Sequence, residues 1–205
     1  MKRPFVALTI CLAFAFVVFV PTIRPVEAGS NPHASAQESA QADDTVAASA
    51  YCVSKGGEVV ARQPYYNTNA GEPDWFALSG NRLFCKFTSK KDGSRIHVLL
   101  STLYTDKPSL AALAYYAEVP IGTCNGNPAS CYCSLLGGTD LFGGINLNGG
   151  GWVQKSDPVD TVLEACILPD MSSIDSWGLT YHSAGIIRGK DLSKVLRYKN
   201  PYATK

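Results

Sequence analysis

Asn127-Pro-Ala-Ser-Cys-Tyr-Cys-Ser-Leu-Leu-Gly-Gly138 (NPASCYCSLLGG) sets Cys131 and Cys133 one residue apart, with Cys124 just upstream. Such a cluster reads as a metal knuckle, a reactive thiol site or part of a disulfide framework. An earlier stretch decides between them. Ser49 to Gly57 (SAYCVSKGG) lies over Ser130 to Gly138 (SCYCSLLGG) at an offset of 81, so that Tyr51-Cys52 falls on Tyr132-Cys133 and Gly56-Gly57 on Gly137-Gly138. At the same offset Cys85 falls on Cys166, each 33 residues after its partner. Three extra residues in the first copy then bring Asp92-Gly-Ser94-Arg-Ile96 over Asp170-Met-Ser172-Ser-Ile174. Both copies close on similar amphipathic stretches, SLAALAYYAEVP ending at Pro120 and DLSKVLRYKNP ending at Pro201. The chain therefore reads as a tandem duplication: repeat 1 over 47–120, a connector over 121–126, repeat 2 over 127–201 and a tail over 202–205.

The N-terminus sets an expectation for the compartment. Met1-Lys2-Arg3 precedes an uncharged run from Phe5 to Val20, and Val26-Glu27-Ala28 supplies compact residues three and one before a cut. This is the layout of a secretory signal peptide over 1–28, cleaved after Ala28. Sixteen apolar residues reach only about 24 Å as a helix, short of a ~30 Å hydrocarbon core, so a retained anchor is the lesser reading. The mature chain is expected to be secreted or extracytoplasmic, with no transmembrane segment. It holds 15 basic and 16 acidic residues, a net charge of −1 that offers no field for nucleic acid. Residues 29–46 carry many Ala, Ser, Gln and Asp and read as a flexible leader.

Cys11 leaves with the signal peptide, and six cysteines in an exported chain imply disulfides. Six allow 15 pairings; the repeat selects Cys52 with Cys85 and Cys133 with Cys166, leaving Cys124 for Cys131. Chain-entropy estimates assign about 4 kcal/mol to each long loop and about 2.5 kcal/mol to the short one. The spacings are C-x6-C-x-C, and His33, His97 and His182 are scattered, so neither a zinc site nor a cofactor is expected.

Each copy reads as helix, β-hairpin, helix, and the whole as an α+β protein packed around a shared or paired core. Asn127 is an N-cap and Pro128 a first helical residue, with Gly137 or Gly138 the left-handed stop; Asp43 or Asp44 is the corresponding cap in the first copy. EVVAR (58–62) and RLFCKFT (82–88) carry strand patterns, SKKDGS supplies a turn, and RIHVLLSTLY (95–104) is rich in β-formers. SIDSWGLTYH fits strand or helix. A terminal helix is expected in each closing stretch.

NPASCYCSLLGG followed by Cys166-Ile-Leu-Pro-Asp-Met-Ser-Ser-Ile-Asp-Ser-Trp177 resembles the short bacterial exported domain of unknown function that carries a hemolysin label, with a weaker echo over 48–57 and 85–96. Ile174 and Ile96 stand where that family's pattern has a further cysteine, Met171 replaces a turn glycine, and Leu99 stands in place of the tryptophan. The resemblance implies an exported bacterial protein and attaches no mechanism to any residue.

Three functional classes remain. The first is a non-catalytic binding or cell-envelope-associated module. Its ligand-binding candidates are Tyr65, Tyr66, Trp75 and Trp152, in loops 64–76 and 142–152 that mix Asn and Gly with aromatics. Lys190, Lys194 and Arg197 form a basic stripe suited to an anionic envelope polymer, or a protein partner. The second is a small extracellular hydrolase, drawn from His182 with Asp175 and Ser172, or from His97 with Ser94 and Asp92. The third is a membrane-active protein, for which LAALAYYAEV is short and carries one charge, Glu118.

Overall fold

The computed structural model describes residues 32–140 and 148–200, with side chains from residue 42 onward. The expected signal peptide and the tail over 202–205 lie outside the described residues, as does the stretch 141–147 of the second glycine-rich loop. In chain order the elements are α1 (Pro32–Ser54), β1 (Glu58–Tyr66), β2 (Phe76–Ala77), β3 (Arg82–Thr88), β4 (Arg95–Leu99), α2 (Leu100–Tyr104), α3 (Leu110–Ala117), α4 (Pro128–Leu135), β5 (Gly150–Val153), β6 (Val162–Leu163), β7 (Ala165–Ile167), β8 (Ser173–Asp175) and α5 (Ser176–Ser183). The fold is α+β, with an antiparallel sheet and three disulfides.

Local chemistry accounts for most boundaries. Asn127 Oδ1 accepts from the Ala129 amide at 2.9 Å and Pro128 opens α4. Gly56 and Gly137 take φ of 82° and 78°, the left-handed stop that an L side chain resists. α1 starts earlier than its sequence suggests: no helix breaker separates Pro32 from Ser54, so Asp43 and Asp44 lie inside it. RIHVLLSTLY divides at Leu99, strand before and helix after. SIDSWGLTYH does the same at Asp175, whose carboxylate caps α5 by accepting from Gly178 N at 2.9 Å.

The sheet runs β6-β5-β1-β3-β4-β8-β7, with β2 beside the far end of β1. Strand β1 is long enough to pair twice, through Glu58–Arg62 with β3 and through Gln63–Tyr66 with β5. Alternation then sorts the side chains. One face puts Cys85, Phe87, Ile96, Val98, Cys166 and Ile174 against the helices, in the main core with Leu103, Tyr115, Leu179 and Leu196. The other puts Val60, Phe84, Leu99, Trp152 and Leu163 into a smaller cluster. The disulfides are Cys52–Cys85, Cys124–Cys131 and Cys133–Cys166, the pairing expected from the sequence.

One expected element is absent. The closing stretch of the second half holds a single 3-10 turn, Leu192–Lys194, in place of a helix. Its backbone bonds elsewhere: the Arg197 amide donates to Leu103 O at 2.9 Å, and one turn already places Leu192, Val195 and Leu196 in the core. Among the described residues no helix is long and apolar enough to cross a membrane.

Candidate functional site

Strand register assembles a charged row on the sheet face away from the main core. Glu58 pairs with Lys86, Lys86 with His97, and the Val98–Ile174 pair sets His97 beside Asp175. Arg62, two residues beyond Val60 on the same face, is fully buried. Its Nη1 donates to Trp152 O at 3.1 Å and Asp160 O at 2.7 Å, while Nη2 lies 3.2 Å from His97 Nε2 and 3.5 Å from Asp157. A guanidinium only donates, so His97 Nε2 accepts and its proton sits on Nδ1, 3.5 Å from Asp175 Oδ2. Burial pushes the Arg62 pKa down, and Asp157, Asp160 and Asp175 pull against that shift.

Asp157 is the hub of the cluster. Burial opposes its charge, yet the amides of Asp160 and Val159 and the Lys86 ammonium hold its pKa at about 2. Lys86 lies 3.4 Å and Arg95 3.5 Å from it, and Arg95 also binds Asp160 at 3.0 Å. His97, Asp157 and Asp160 have the spacing of a metal site, the one such group among the described residues. Arg62, Arg95 and Lys86 already neutralise those same oxygens, so the group acts as a clamp between the 154–161 loop and the first hairpin.

A cavity of about 310 Å³ opens beside the clamp, bounded by Asp160, Glu164, Asp175, Trp177, Tyr181 and Arg188. Both Glu164 oxygens accept from Asn127 Nδ2, at 3.2 and 3.1 Å. Burial raises the Glu164 pKa, and the charges of Asp140 and Asp175 raise it further. Asp140, 3% exposed, is raised by burial as well. Arg188 lies over the Tyr181 ring at 5.0 Å. A larger groove of about 1010 Å³ lies along Arg82, Leu83, Leu99, Ser101 and Thr105.

The aromatic candidates separate. Tyr65 and Trp75 meet edge to face at 6.2 Å, with Lys155 5.9 Å from the Tyr65 ring. Tyr66 Oη accepts from Asn148 Nδ2 at 2.7 Å. Trp152 is only 6% exposed, packed on Phe84 and covered by Arg82. The basic candidates each have a protein partner: Lys190 bonds Lys55 O, Lys194 lies 3.4 Å from Asp191, and Arg197 binds Asp106 and covers the Tyr104 ring.

The histidine sets also regroup. His97 takes Asp175 from the other half, whereas Ser94 bonds Asp92 and the Gly189 amide. His182 stacks on Tyr115 at 3.7 Å, with Nε2 3.0 Å from Tyr115 O and 3.4 Å from Glu118. Ser172 Oγ donates to Asp170 and receives the Ala111 amide. Arg62, Asp157, Asp160 and Glu164 escape a sequence reading; the one signal was Arg62 standing in the inward phase of a strand. No family model, curated protein or solved structure matches the chain.

Proposed function

We propose that this chain is an exported binding module made of two copies of one unit, and that the acidic cavity of the second copy takes a cationic group, an ammonium or guanidinium. Matching pairings support the two copies. Glu58 pairs with Lys86 and, 81 residues on, Thr139 bridges Ile167. Cys85 faces Val98 as Cys166 faces Ile174, so beyond the hairpin turn the offset is 76 and Val98, not Ile96, corresponds to Ile174. The signal peptide pattern and the resemblance to the hemolysin-labelled exported domain support export.

One observation carries the ligand. At these offsets Leu83 and Leu99 of the large groove correspond to Glu164 and Asp175 of the small cavity, and Ser101 corresponds to Trp177. The two hollows are the same place in the two copies, with leucines in the large groove where the small cavity has Glu164 and Asp175; the groove's own carboxylates, Asp44, Asp106 and Asp170, stand at other positions along it. A leucine fills such a position at no electrostatic cost, while burying carboxylates is unfavourable unless something pairs with them. Burial, with the charges of Asp140 and Asp175, raises the Glu164 pKa against the hydrogen bonds from Asn127. An entering cation offsets that shift, and the Trp177 ring favours a cation further, the Tyr181 ring being covered by Arg188. The ring nitrogens of His97 meet Arg62 and Asp175 and no hydroxyl or thiol that the imidazole could activate, which favours binding over serine-type hydrolysis.

The probe is C-terminally amidated tri-lysine against the same peptide acetylated at Nα and every Nε, measured by titration calorimetry. Tri-lysine should bind and the neutral analogue should not. Glu164→Gln should weaken binding about tenfold or more, the scale of a charge-assisted hydrogen bond. Because the cation favours ionised Glu164, affinity should rise as pH climbs through the carboxylate range. Equal binding of both peptides, or none, overturns the ligand assignment.

A further inference from the structure

In both halves the segment after the second helix leaves its own unit and docks on the other. The Leu110 amide, at the start of α3, donates to Asp170 Oδ2 at 2.7 Å and the Ala111 amide to Ser172 Oγ at 2.9 Å, so the hairpin turn of the second half caps the last helix of the first. In return the hairpin turn of the first half receives the Gly189 amide on Ser94 Oγ at 3.0 Å. Tyr132 Oη donates to Val119 O at 2.8 Å, and its counterpart Tyr51 donates to Val195 O at 3.0 Å. Val119 and Val195 differ by 76, the offset that also relates Val98 to Ile174.

These last two residues pair with each other across antiparallel β4 and β8. Two corresponding residues that face each other antiparallel have a local two-fold axis between them. The strands follow suit: outward from that axis run β4, β3 and β1 on one side, and β8, β7 and the Thr139 bridge on the other.

We infer that the molecule is an internal two-fold dimer with exchanged arms: each half presents a surface whose partner is a second copy of the same unit, and neither half closes its core alone. The inference rests on the two-copy reading. No disulfide links one half to the other, since Cys124 of the connector pairs with Cys131 of the second, so the halves are joined by side-chain packing, the hydrogen bonds of the arms and the 121–126 connector. Besides effective concentration, the connector contributes Ile121, packed against the main core, and Cys124, bridged to Cys131.

The test uses the full oxidised chain with a protease site inserted between Gly122 and Thr123, ahead of Cys124. After cleavage the two pieces should elute as one particle with one melting transition, and separate only in denaturant. Pieces that part in native buffer, each keeping its near-UV signal, overturn the inference. Hydrogen exchange on the uncut protein tests the crossing itself. Tyr132→Phe should speed exchange in the 110–119 segment, and Tyr51→Phe in the 192–197 segment, by roughly three- to tenfold. Acceleration confined to the mutated half overturns exchanged arms. Crossing effects of clearly unequal size leave the exchange standing and count against the duplication.

Discussion

Glycines 57 and 138 do different work from the glycines that precede them. A Cβ on Gly57 would stand 2.3 Å from Cys85 Sγ and 2.9 Å from Cys52 Sγ, and on Gly138 it would stand 2.6 Å from Cys166 Sγ and 2.9 Å from Cys133 Sγ. The paired glycines thus act in succession, the first turning the chain through a left-handed φ and the second leaving room for the disulfide sulfurs. Gly57→Ala or Gly138→Ala should displace the bridge and lower stability by about 1 to 3 kcal/mol, the usual cost of overpacking. The readouts are the urea midpoint and a free-thiol count after refolding; an unchanged midpoint would refute the steric assignment. Arg62 presents the opposite case, a buried cation serving two carbonyls, a histidine and a carboxylate. Arg62→Leu leaves Asp157 and both carbonyls short of a partner, and should cost about 3 to 5 kcal/mol in chemical denaturation.

Elements whose packing is local were legible in the sequence. RLFCKFT alternates inward and outward and is β3; Asn127 and Pro128 open α4; the glycine pairs end α1 and α4. The closing stretch of the second half misleads because its apolar spacing fits a helix, while the Arg197 amide and the Val195 carbonyl bond the first half instead. RIHVLLSTLY and SIDSWGLTYH each hold a strand and a helix without a break residue between them, so a single periodicity describes neither. The charged site was illegible for a stronger reason. His97 and Asp175 become neighbours through the pairing of β4 with β8, a register no local pattern encodes, and Asp157 reaches them from a loop. The aromatic loops gave a partial reading, since residue type pointed to Tyr65 and Trp75 together but could not show that Trp152 faces the small core.

At the scale of the whole molecule, the described acids with shifted pKa values fall into two groups with opposite dependence on pH; exposed Asp92, held at about 2 chiefly by the Ser94 hydroxyl and amide, belongs with the lowered ones. Asp157, Asp170 and Asp191 have lowered pKa values: burial works against each charge, and hydrogen bonds outweigh it, from the amides of Asp160 and Val159 for Asp157, and chiefly from Ser172 and Ser193 for the other two. A carboxylate held below its unfolded value contributes stability that is present above about pH 3.8 and is lost as pH falls towards its folded value, about 2 for Asp157. Glu164 and Asp140 have raised values, so their unfavourable term disappears as they take up protons. His182, lowered chiefly by burial, costs stability as pH drops through the ordinary histidine range. As pH falls these last contributions oppose each other, but below pH 3.8 the lowered aspartates act in one direction. Asp170 holds the start of α3, Asp191 the final turn, and Asp157 the clamp, so protonation loosens both arms and the joint between the halves together. Melting temperatures followed from pH 5 to pH 2 should therefore fall as one cooperative transition. Asp157→Asn should start lower and fall less steeply, its term being about 1 to 2 kcal/mol once partial solvent screening is allowed for. A variant whose acid limb parallels the parent protein would show that the Asp157 charge does not hold the halves together.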